Sequence, residues 1–197
     1  MDDFLCVGVQ SDIDVFVGEL SARYNIKHSP ATLCLGIQIN GKLDGSIEFN
    51  QAHYINTSLV ELGLQDIKVK STPLAGGTIK ALLEEDSAKF QPLTAKKTKF
   101  YQQILDRMNY EAMCIRLNIS FTVELLGRFA AALHFGHLAY VKHCMAYLKG
   151  TINVSLQYIR ESSPLSLKSY VDSDHASTLG LKSTSRHCYF ISDSMIS

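Results

Sequence analysis

The first third of the chain changes twice between strand-like and helical spacing of its apolar residues. The apolar run at residues 4–9 predicts an opening strand, and Ser11-Asp12 is a helix-capping signal before apolar residues at helical spacing, which are Val15, Phe16, Leu20 and Tyr24. Segments at 33–39 and 46–49 flank turn residues at 40–45 and predict a β-hairpin. A helix is predicted from about 51 to 62, with Gly63 as its stop.

The middle and the end of the chain predict a helical layer followed by strands. Residues 68–93 lose periodicity and carry prolines, paired glycines and an acidic run, so they predict an extended linker. Helices are predicted at about 94–114, 118–133 and 137–149, and strands at 152–159, 165–171 and 188–191. We therefore expect an α+β fold, with a hairpin and helix in front, a helical middle and a partial sheet at the back.

Composition and charge narrow the class of protein. The 197 residues are 46% hydrophobic and 19% charged, with 19 Lys+Arg against 19 Asp+Glu, which indicates a globular chain without a global basic field. Any contact with nucleic acid is therefore expected to be local. The most apolar stretch, 129–141, is too short to span a bilayer, so no membrane partner is expected.

The cysteines indicate a cellular setting. There are five, an odd number without a Cys-x-x-Cys pair, which predicts reduced and mostly buried thiols in an intracellular protein of the cytoplasm or nucleus. Cys6 lies close to an aspartate pair, but no base is placed beside it, so a core thiol is favoured over a nucleophile.

Two acidic clusters carry the candidate metal chemistry. Asp2 and Asp3 run directly into the apolar stretch at 4–9, an arrangement that suits the tight turn of a β-hairpin holding a cation by oxygen ligands. Asp172 and Asp174 form the second cluster, within Tyr-Val-Asp-Ser-Asp. Because catalytic Mg²⁺ sites usually take carboxylates from more than one segment, each cluster is expected to be half of a site.

An ordered series of short motifs covers nearly the whole chain. In order, the motifs are Met1-Asp2-Asp3, Cys34-Leu35-Gly36-Ile37, Ser71-Thr72-Pro73-Leu74, Tyr101 with Asn109-Tyr110, Arg116 with Ile119-Ser120-Phe121, His137 with Tyr147-Leu148-Lys149-Gly150-Thr151, Tyr170-Val171-Asp172-Ser173-Asp174, and Lys182-Ser183-Thr184-Ser185. In this order and spacing they resemble the reverse transcriptase and ribonuclease H portion of the Pol polyprotein of copia-type LTR retrotransposons. Each motif is short, and the resemblance rests on their order.

The resemblance implies a fold, an activity and a set of site residues. It assigns 1–67 to the end of the palm and a thumb-like region, 68–93 to a linker, 94–150 to a helical connection and 151–197 to the first strands of an incomplete ribonuclease H-like domain. The family's activities are RNA-directed DNA synthesis and degradation of the RNA strand, with Mg²⁺ as cofactor and an RNA/DNA template-primer as partner. Other pol fragments are further candidate partners. Asp2 and Asp3 match the polymerase acids and Asp172 the first ribonuclease H acid, each as part of a partial Mg²⁺ site.

The chain also departs from the family's pattern. It has Leu117-Asn118 in place of Pro-Asp, Asp106 and Arg186 in place of glycines, and His175 in place of a tryptophan. Charged side chains at glycine positions are usually destabilising, which is typical of relaxed selection. The family's other catalytic acids belong to segments upstream and downstream of this sequence, so we expect a truncated, catalytically inactive fragment. A non-catalytic nucleic-acid-binding or pol-interacting module is the alternative.

Two further clusters each leave two interpretations. The residue types of a zinc site occur at His134, His137, His143 and Cys144, but their positions on different helix faces favour structural roles. A lysine cluster has the charge to contact phosphates, yet the zero net charge favours a solvated face; its members are Lys68, Lys70, Lys96, Lys97 and Lys99.

Overall fold

The computed structural model describes residues 4–83, 91–130, 133–160, 166–174 and 184–196. Helices and antiparallel sheets are mixed along the chain, which confirms the predicted α+β class at that coarse level. In chain order the elements are α1 (Gln10–Arg23), β1 (Leu33–Cys34), β2 (Ile37–Gly41), β3 (Ile47–Asn50), α2 (Ala52–Glu61), α3 (Thr78–Leu83), α4 (Ala95–Cys114), a 3₁₀ turn (Leu117–Ile119), α5 (Ser120–Gly127), α6 (Phe135–Gly150), β4 (Leu156–Tyr158), β5 (Leu167–Asp174), β6 (Thr184–Ile191) and β7 (Ser194–Met195).

The first sheet joins two segments that are distant in sequence. Its strand order is β1-β2-β3-β4, all antiparallel, and β4 reaches β3 only after the whole helical layer. Phe49 pairs with Leu156 in the register, and the Phe49 and Tyr158 rings meet edge to face at 5.4 Å between centroids. The Asn50 side-chain amide donates to the Val154 carbonyl oxygen at 3.4 Å. The last strand of this sheet therefore depends on tertiary packing.

The second sheet has the order β5-β6-β7 and is also antiparallel. Its long ladder runs from Leu167 opposite Ile191 to Asp174 opposite Thr184. The backbone N–H of Ile159, just after β4, donates to the Ser194 hydroxyl at 3.2 Å, so β7 lies beside the first sheet. The division of the chain into domains at 68, 94 and 151 stays a prediction.

The core lies between α2, α4, α5 and α6. Apolar side chains recur on α4 and α6 with the spacing of one helical face, and this confirms the predicted helical layer. The helix predicted at 118–133 is shorter than expected, since α5 ends at Gly127 and residues 128–130 form a turn. The largest buried members are Ile55, Leu59, Tyr101, Ile104, Met108, Leu126, Val141, Met145 and Leu148. None of the described helices combines the length and the hydropathy needed to cross a membrane.

Part of the segment expected to be extended is helical and packed. Gly77 has a φ of +79°, which suits glycine, and α3 begins at the next residue. Leu82 of α3 is buried in the core cluster and Leu74 packs against it. The expectation of an extended chain is therefore wrong at Thr78–Leu83. Burial of Leu82 stabilises a helix there, which the sequence pattern did not predict because of the nearby glycines and prolines.

The N-terminal segment differs most from expectation. Residues 4–9 are irregular, and among the described strands none pairs with them, so the predicted opening strand is wrong. A strand requires a neighbour for its backbone groups, and sequence pattern cannot supply one. The predicted helix is confirmed as α1, but it begins at Gln10 with Val9 as its N-cap residue, so the cap predicted at Ser11-Asp12 is wrong. The helix has no buried residue, and Val15 and Phe16 are exposed.

The predicted hairpin is confirmed between β2 and β3, and the helix after it is confirmed as α2. The segment predicted as one strand at 33–39 instead turns at Leu35-Gly36 and forms two antiparallel strands, β1 and β2. β2 and β3 pair antiparallel, and at the tip the Asp44 carboxylate accepts a hydrogen bond from the Ser46 backbone N–H at 2.9 Å. Gly45 has a φ of +82° and Gly63, just beyond α2, a φ of +65°. Both positions lie in the left-handed region that favours glycine. This explains why the sequence pattern identified the turn of the hairpin and the end of α2.

The predicted thiol environments are largely wrong. All five cysteines are free, but Cys144 alone is buried, while Cys34, Cys114 and Cys188 are partly exposed. Cys6, expected in the core, is exposed because the segment that carries it packs on no described strand.

Candidate functional site

One of the three predicted catalytic acids lies in the described part of the chain. Asp172 is exposed on β5, and its partner in the antiparallel register is Arg186 of β6. Asp2 and Asp3 lie outside the described residues, so the structure gives no geometry between the two acidic clusters. The assignment of Asp2, Asp3 and Asp172 to partial Mg²⁺ sites stays a prediction. Within the described residues, no group of three or more His, Cys, Asp or Glu side chains is arranged to hold a metal ion.

The histidines of the zinc-like cluster make local contacts at α6. His134 is the N-cap residue, and its Nδ1 accepts a hydrogen bond from the Gly136 backbone N–H at 3.1 Å. The backbone N–H of His134 donates to Nδ1 of His137 at 3.2 Å, which completes a reciprocal capping arrangement. Nε2 of His143 lies 3.0 Å from the Thr72 carbonyl oxygen. His137 is thus in the first turn of its helix, as predicted.

Arg116 makes the central contact among the motif residues. Its side chain is 1% exposed, and its guanidinium donates through Nη1 to the Thr151 carbonyl oxygen at 3.0 Å and through Nη2 to Thr151 Oγ1 at 2.6 Å. Nε donates to Asn118 Oδ1 at 3.3 Å. A buried guanidinium is tolerated only where its donors are satisfied. These bonds therefore join the end of α4 to the end of α6.

Asn118, which stands where the family has an aspartate, takes part in the same contact. Its Oδ1 accepts from Arg116, and its Nδ2 donates to the Tyr147 hydroxyl at 2.6 Å. The Arg116 guanidinium also lies 5.6 Å from the centre of the Tyr147 ring. An amide can accept and donate at once, whereas an ionised carboxylate can only accept. This departure from the family's pattern is thus accommodated by the fold.

Asp106, which replaces a family glycine, is also accommodated. It is exposed on α4 and lines an open groove of about 590 Å³ between α4 and α5. Its backbone is helical, so no left-handed conformation is demanded of it. The expected destabilisation therefore has no counterpart in the described geometry at this position.

Other motif residues hold elements together in the same way. The Tyr101 hydroxyl, fully buried, donates to the Leu126 carbonyl oxygen at 2.6 Å, which links α4 to α5. Lys149 Nζ donates to the carbonyl oxygens of Gln65 at 2.6 Å and Ile67 at 3.0 Å. At Gly150 a Cβ atom would lie 3.1 Å from the Lys70 carbonyl oxygen, so the close approach of the two backbones favours glycine there.

Glu111 carries a buried carboxyl group that sequence reasoning missed. Its side chain is fully buried on α4, and neither carboxylate oxygen has a hydrogen-bond partner among the described residues. Burial raises its pKa to about 8, and the positive charges of Arg116 and Arg107 only partly oppose that rise. The signal was available, because Glu111 follows Ile104 and Met108 at core spacing on α4.

Most lysines outside the core lie in three described stretches of sequence that contain no acidic residue. The described stretches 67–83, 91–105 and 133–160 contain no aspartate or glutamate. Their cations are Lys68, Lys70, Lys80, Lys96, Lys97, Lys99, Lys142, Lys149 and Arg160. The acidic run 84–86 lies outside the described residues. A neutral chain thus concentrates positive charge in part of its sequence.

Contacts bring these three stretches side by side. The Lys70 backbone N–H donates to the Ala146 carbonyl oxygen of α6 at 3.2 Å. Lys97 Nζ lies 4.3 Å from the centre of the Phe135 ring, and Lys142 Nζ lies 5.6 Å from the centre of the Phe100 ring. The start of α4, the exposed side of α6 and the segment before α3 therefore form one surface, which we call the lysine face.

Comparison with known proteins identifies relatives at modest identity. The chain is 29% identical over 177 residues to a transposon Ty5-1 protein of Saccharomyces cerevisiae, covering 89% of this chain and 55% of the relative. It is 29% identical over 206 residues to the retrovirus-related Pol polyprotein from transposon TNT 1-94 of Nicotiana tabacum, covering 100% of this chain and 15% of the relative. For the Pol polyprotein from transposon RE1 of Arabidopsis thaliana the values are 27% over 178 residues, 89% and 12%.

These relatives are transposon proteins, two of them retrovirus-related Pol polyproteins, and the chain is homologous to them. The relationship predicted from the motif series is thereby confirmed. The chain spans about half of the yeast relative and a small part of the two plant polyproteins. No family model matches the chain, and no solved structure matches it significantly.

The Arg116 contact predicts a specific loss of stability. Arg116→Lys keeps the charge but cannot make three separated hydrogen bonds, so the free energy of unfolding should fall by about 2–4 kcal/mol. The matched control is Arg128→Lys, whose ion pair with Glu124 on α5 is partly exposed and should cost less than about 1 kcal/mol. Urea denaturation followed by circular dichroism measures both. Equal losses in the two variants would contradict a central role for Arg116.

The buried carboxyl group of Glu111 predicts a pH dependence. The unfolded carboxyl ionises near 4.5 and the folded one near 8, so between these values the folded state binds the extra proton. Stability should therefore be highest below pH 4.5 as far as this group is concerned, and fall by up to about 1.4 kcal/mol per pH unit until about pH 8. Glu111→Gln should remove this fall, while Glu19→Gln, on exposed α1, should keep it. Parallel stability curves for wild type and Glu111→Gln would refute the assignment.

Proposed function

We propose that the chain is a fragment of the reverse transcriptase and ribonuclease H region of a copia-type retrotransposon Pol polyprotein. The ordered motifs from Met1 to Ser185 support this, as does homology to transposon Pol polyproteins. In this proposal residues 1–67 are the end of the palm and a thumb-like region, 94–150 the connection and 151–197 the start of a ribonuclease H-like sheet. The mixed helix and sheet architecture is compatible with that assignment.

The proposed role is non-catalytic. The ancestral activity in this proposal is RNA-directed DNA synthesis with Mg²⁺, and two-metal catalysis requires several carboxylates around one site. Asp172 stands opposite Arg186 in the register, at a position where the family has glycine.

The proposal of a binding function rests on the lysine face. Its described stretches contain no aspartate or glutamate, and it places two lysines against aromatic rings, Lys97 against Phe135 and Lys142 against Phe100. Lysines bind the phosphate backbone, and an exposed aromatic ring such as Phe135 offers a surface for a base. We therefore propose that the fragment binds an RNA or DNA strand without catalysing a reaction on it, and that other pol fragments are its further partners.

Binding should depend on the lysine face rather than on total charge. The triple variant Lys96→Gln, Lys97→Gln and Lys99→Gln should bind a labelled RNA/DNA hybrid roughly 10- to 100-fold more weakly at about 0.1 M salt, with a shallower salt dependence, because phosphate contacts are lost. The control triple, Lys27→Gln, Lys42→Gln and Lys168→Gln, changes the net charge equally at exposed positions elsewhere. Fluorescence anisotropy over a salt series measures both. Equal weakening of binding in the two triple variants would contradict a role of the lysine face in binding.

Primer extension tests the absence of catalysis. On an RNA template with a DNA primer and Mg²⁺ or Mn²⁺, the folded chain should extend no more primer than the double variant Asp2→Asn/Asp3→Asn. Extension by the wild type that disappears in the double variant would overturn the non-catalytic proposal, and would mean that the remaining metal ligands come from another chain or segment. Binding without extension is the expected result.

A further inference from the structure

The start of α6 is held beside the start of α4 by the backbone. Leu93 donates its backbone N–H to the Leu133 carbonyl oxygen at 2.9 Å, and Pro92 and His134 form an isolated antiparallel bridge. Helix α4 begins three residues after Pro92, and α6 begins directly after His134. The relative position of the two first turns is therefore set by backbone contacts, which are stiffer than contacts between long side chains.

Phe135, the first residue of α6, is held by the cap of that helix. Nδ1 of His134 accepts a hydrogen bond from the Gly136 backbone N–H at 3.1 Å, and the His134 backbone N–H donates to Nδ1 of His137 at 3.2 Å. A Cβ atom on Gly136 would lie 2.9 Å from Cε1 of His134, so the cap packs closely against the backbone. Because these contacts lie on both sides of Phe135 in the chain, its backbone has little freedom to move.

The Phe135 ring lies beside a cation and is open to solvent. Lys97, in the first turn of α4, has its Nζ 4.3 Å from the ring centre. An ammonium group covers only one face of a ring, and Phe135 is 67% exposed, so the ring has room for a flat partner. Phe100, whose ring centre lies 5.6 Å from Lys142 Nζ, is instead partly buried against the core. Of these two rings, Phe135 is the one that a base can reach.

We propose that Phe135 makes the lysine face selective for single-stranded nucleic acid, by stacking on one unpaired base while Lys96, Lys97 and Lys99 bind the adjacent phosphates. This inference rests on the proposed function, in which the lysine face binds a strand. The bases of a duplex are paired and stacked, so a ring reaches one only after its pair opens, whereas a single strand offers bases that are already unpaired. The ring thus adds binding energy only for the single strand.

The same chemistry defines what the ring does not select. Every base has a flat face, so stacking on Phe135 requires an unpaired base and not a particular sequence. Stacking does not involve the 2′-hydroxyl group of the sugar, so RNA and DNA single strands should gain equally from the ring. Binding of a duplex through the lysines alone stays possible, because phosphates are present in both forms.

The test measures binding of the folded full chain to labelled nucleic acids by fluorescence anisotropy at about 0.1 M salt. The ligands are a short single strand, the blunt-ended duplex of the same sequence, and the same strand with abasic sites in place of its bases. The strand and the duplex are each prepared as RNA and as DNA.

Three variants accompany the wild type in this measurement. Phe135→Leu removes the ring and keeps an apolar side chain, and Phe135→Tyr keeps a ring. The matched control is Phe16→Leu, which makes the same change at an exposed phenylalanine of α1. Circular dichroism confirms that each variant is folded. The abasic strand tests the stacking on the unchanged protein, so the conclusion does not depend on any one variant.

The wild type should bind the single strand roughly tenfold more tightly than the duplex or the abasic strand, because only the single strand supplies a base to the ring. Phe135→Leu should lose this factor for the single strand, as RNA and as DNA, and change its affinity for the duplex and the abasic strand by less than about twofold. Phe135→Tyr and Phe16→Leu should bind all ligands like the wild type.

Equal weakening of all three ligands in Phe135→Leu would overturn the proposal, since the ring would then only support the surface. So would an unchanged affinity of Phe135→Leu for the single strand, or a wild type that binds the duplex as tightly as the strand. In these cases the proposed function stands if binding still depends on Lys96, Lys97 and Lys99. A wild type that binds none of the ligands would contradict the proposed function as well.

Discussion

Burial of the Arg116 guanidinium against Thr151 is the contact on which the described fold depends most. It fixes the end of α4 to the end of α6, and from Thr151 the chain turns at once, with the Val154 backbone N–H donating to the Thr151 carbonyl oxygen at 3.0 Å. That turn places β4 beside β3, a strand that lies more than a hundred residues earlier in the chain. Because a charge withdrawn from water needs several bonds to offset its desolvation, few other packings of these segments would satisfy it.

The motif residues that indicate the relationship to Pol polyproteins are mostly the residues of such contacts. Tyr101, Lys149 and Gly150 join helices or bring backbones together, and none of them lies beside a metal-binding cluster in the part of the chain that the structure describes. The residues proposed to bind phosphate or predicted to bind a metal ion lie elsewhere, in the lysine face and at Asp2, Asp3 and Asp172. The residues that indicate homology are therefore those that hold the fold together, whereas the functional proposal rests on the distribution of charge.

The sequence pattern correctly predicted those helices and turns that are determined by neighbouring residues in the chain. Gly63 ends α2 because glycine occupies a left-handed conformation readily, and the apolar spacing on α4 and α6 follows directly from the helical period. It failed where the cause is tertiary. The strand predicted at 152–159 is reduced to the three residues of β4 that pair with β3, and residues 4–9 lack such a neighbour among the described strands. Leu82 is buried through packing that its glycine-rich surroundings concealed. For the site, the lysines and the helix-start role of His137 were predicted, but buried Glu111 was not.

Native-state hydrogen exchange of the unmodified chain tests the central claim most directly. If the Arg116 contact unites helices and sheet, the amides of β3 and β4 should exchange through the same opening, with the same free energy, as the core amides of α4 and α6. Amides of α1, which buries no side chain, should exchange through a separate and easier opening. Exchange of β3 and β4 at a free energy well below that of the core helices would contradict the account, since the sheet would then open while the Arg116 contact stayed closed.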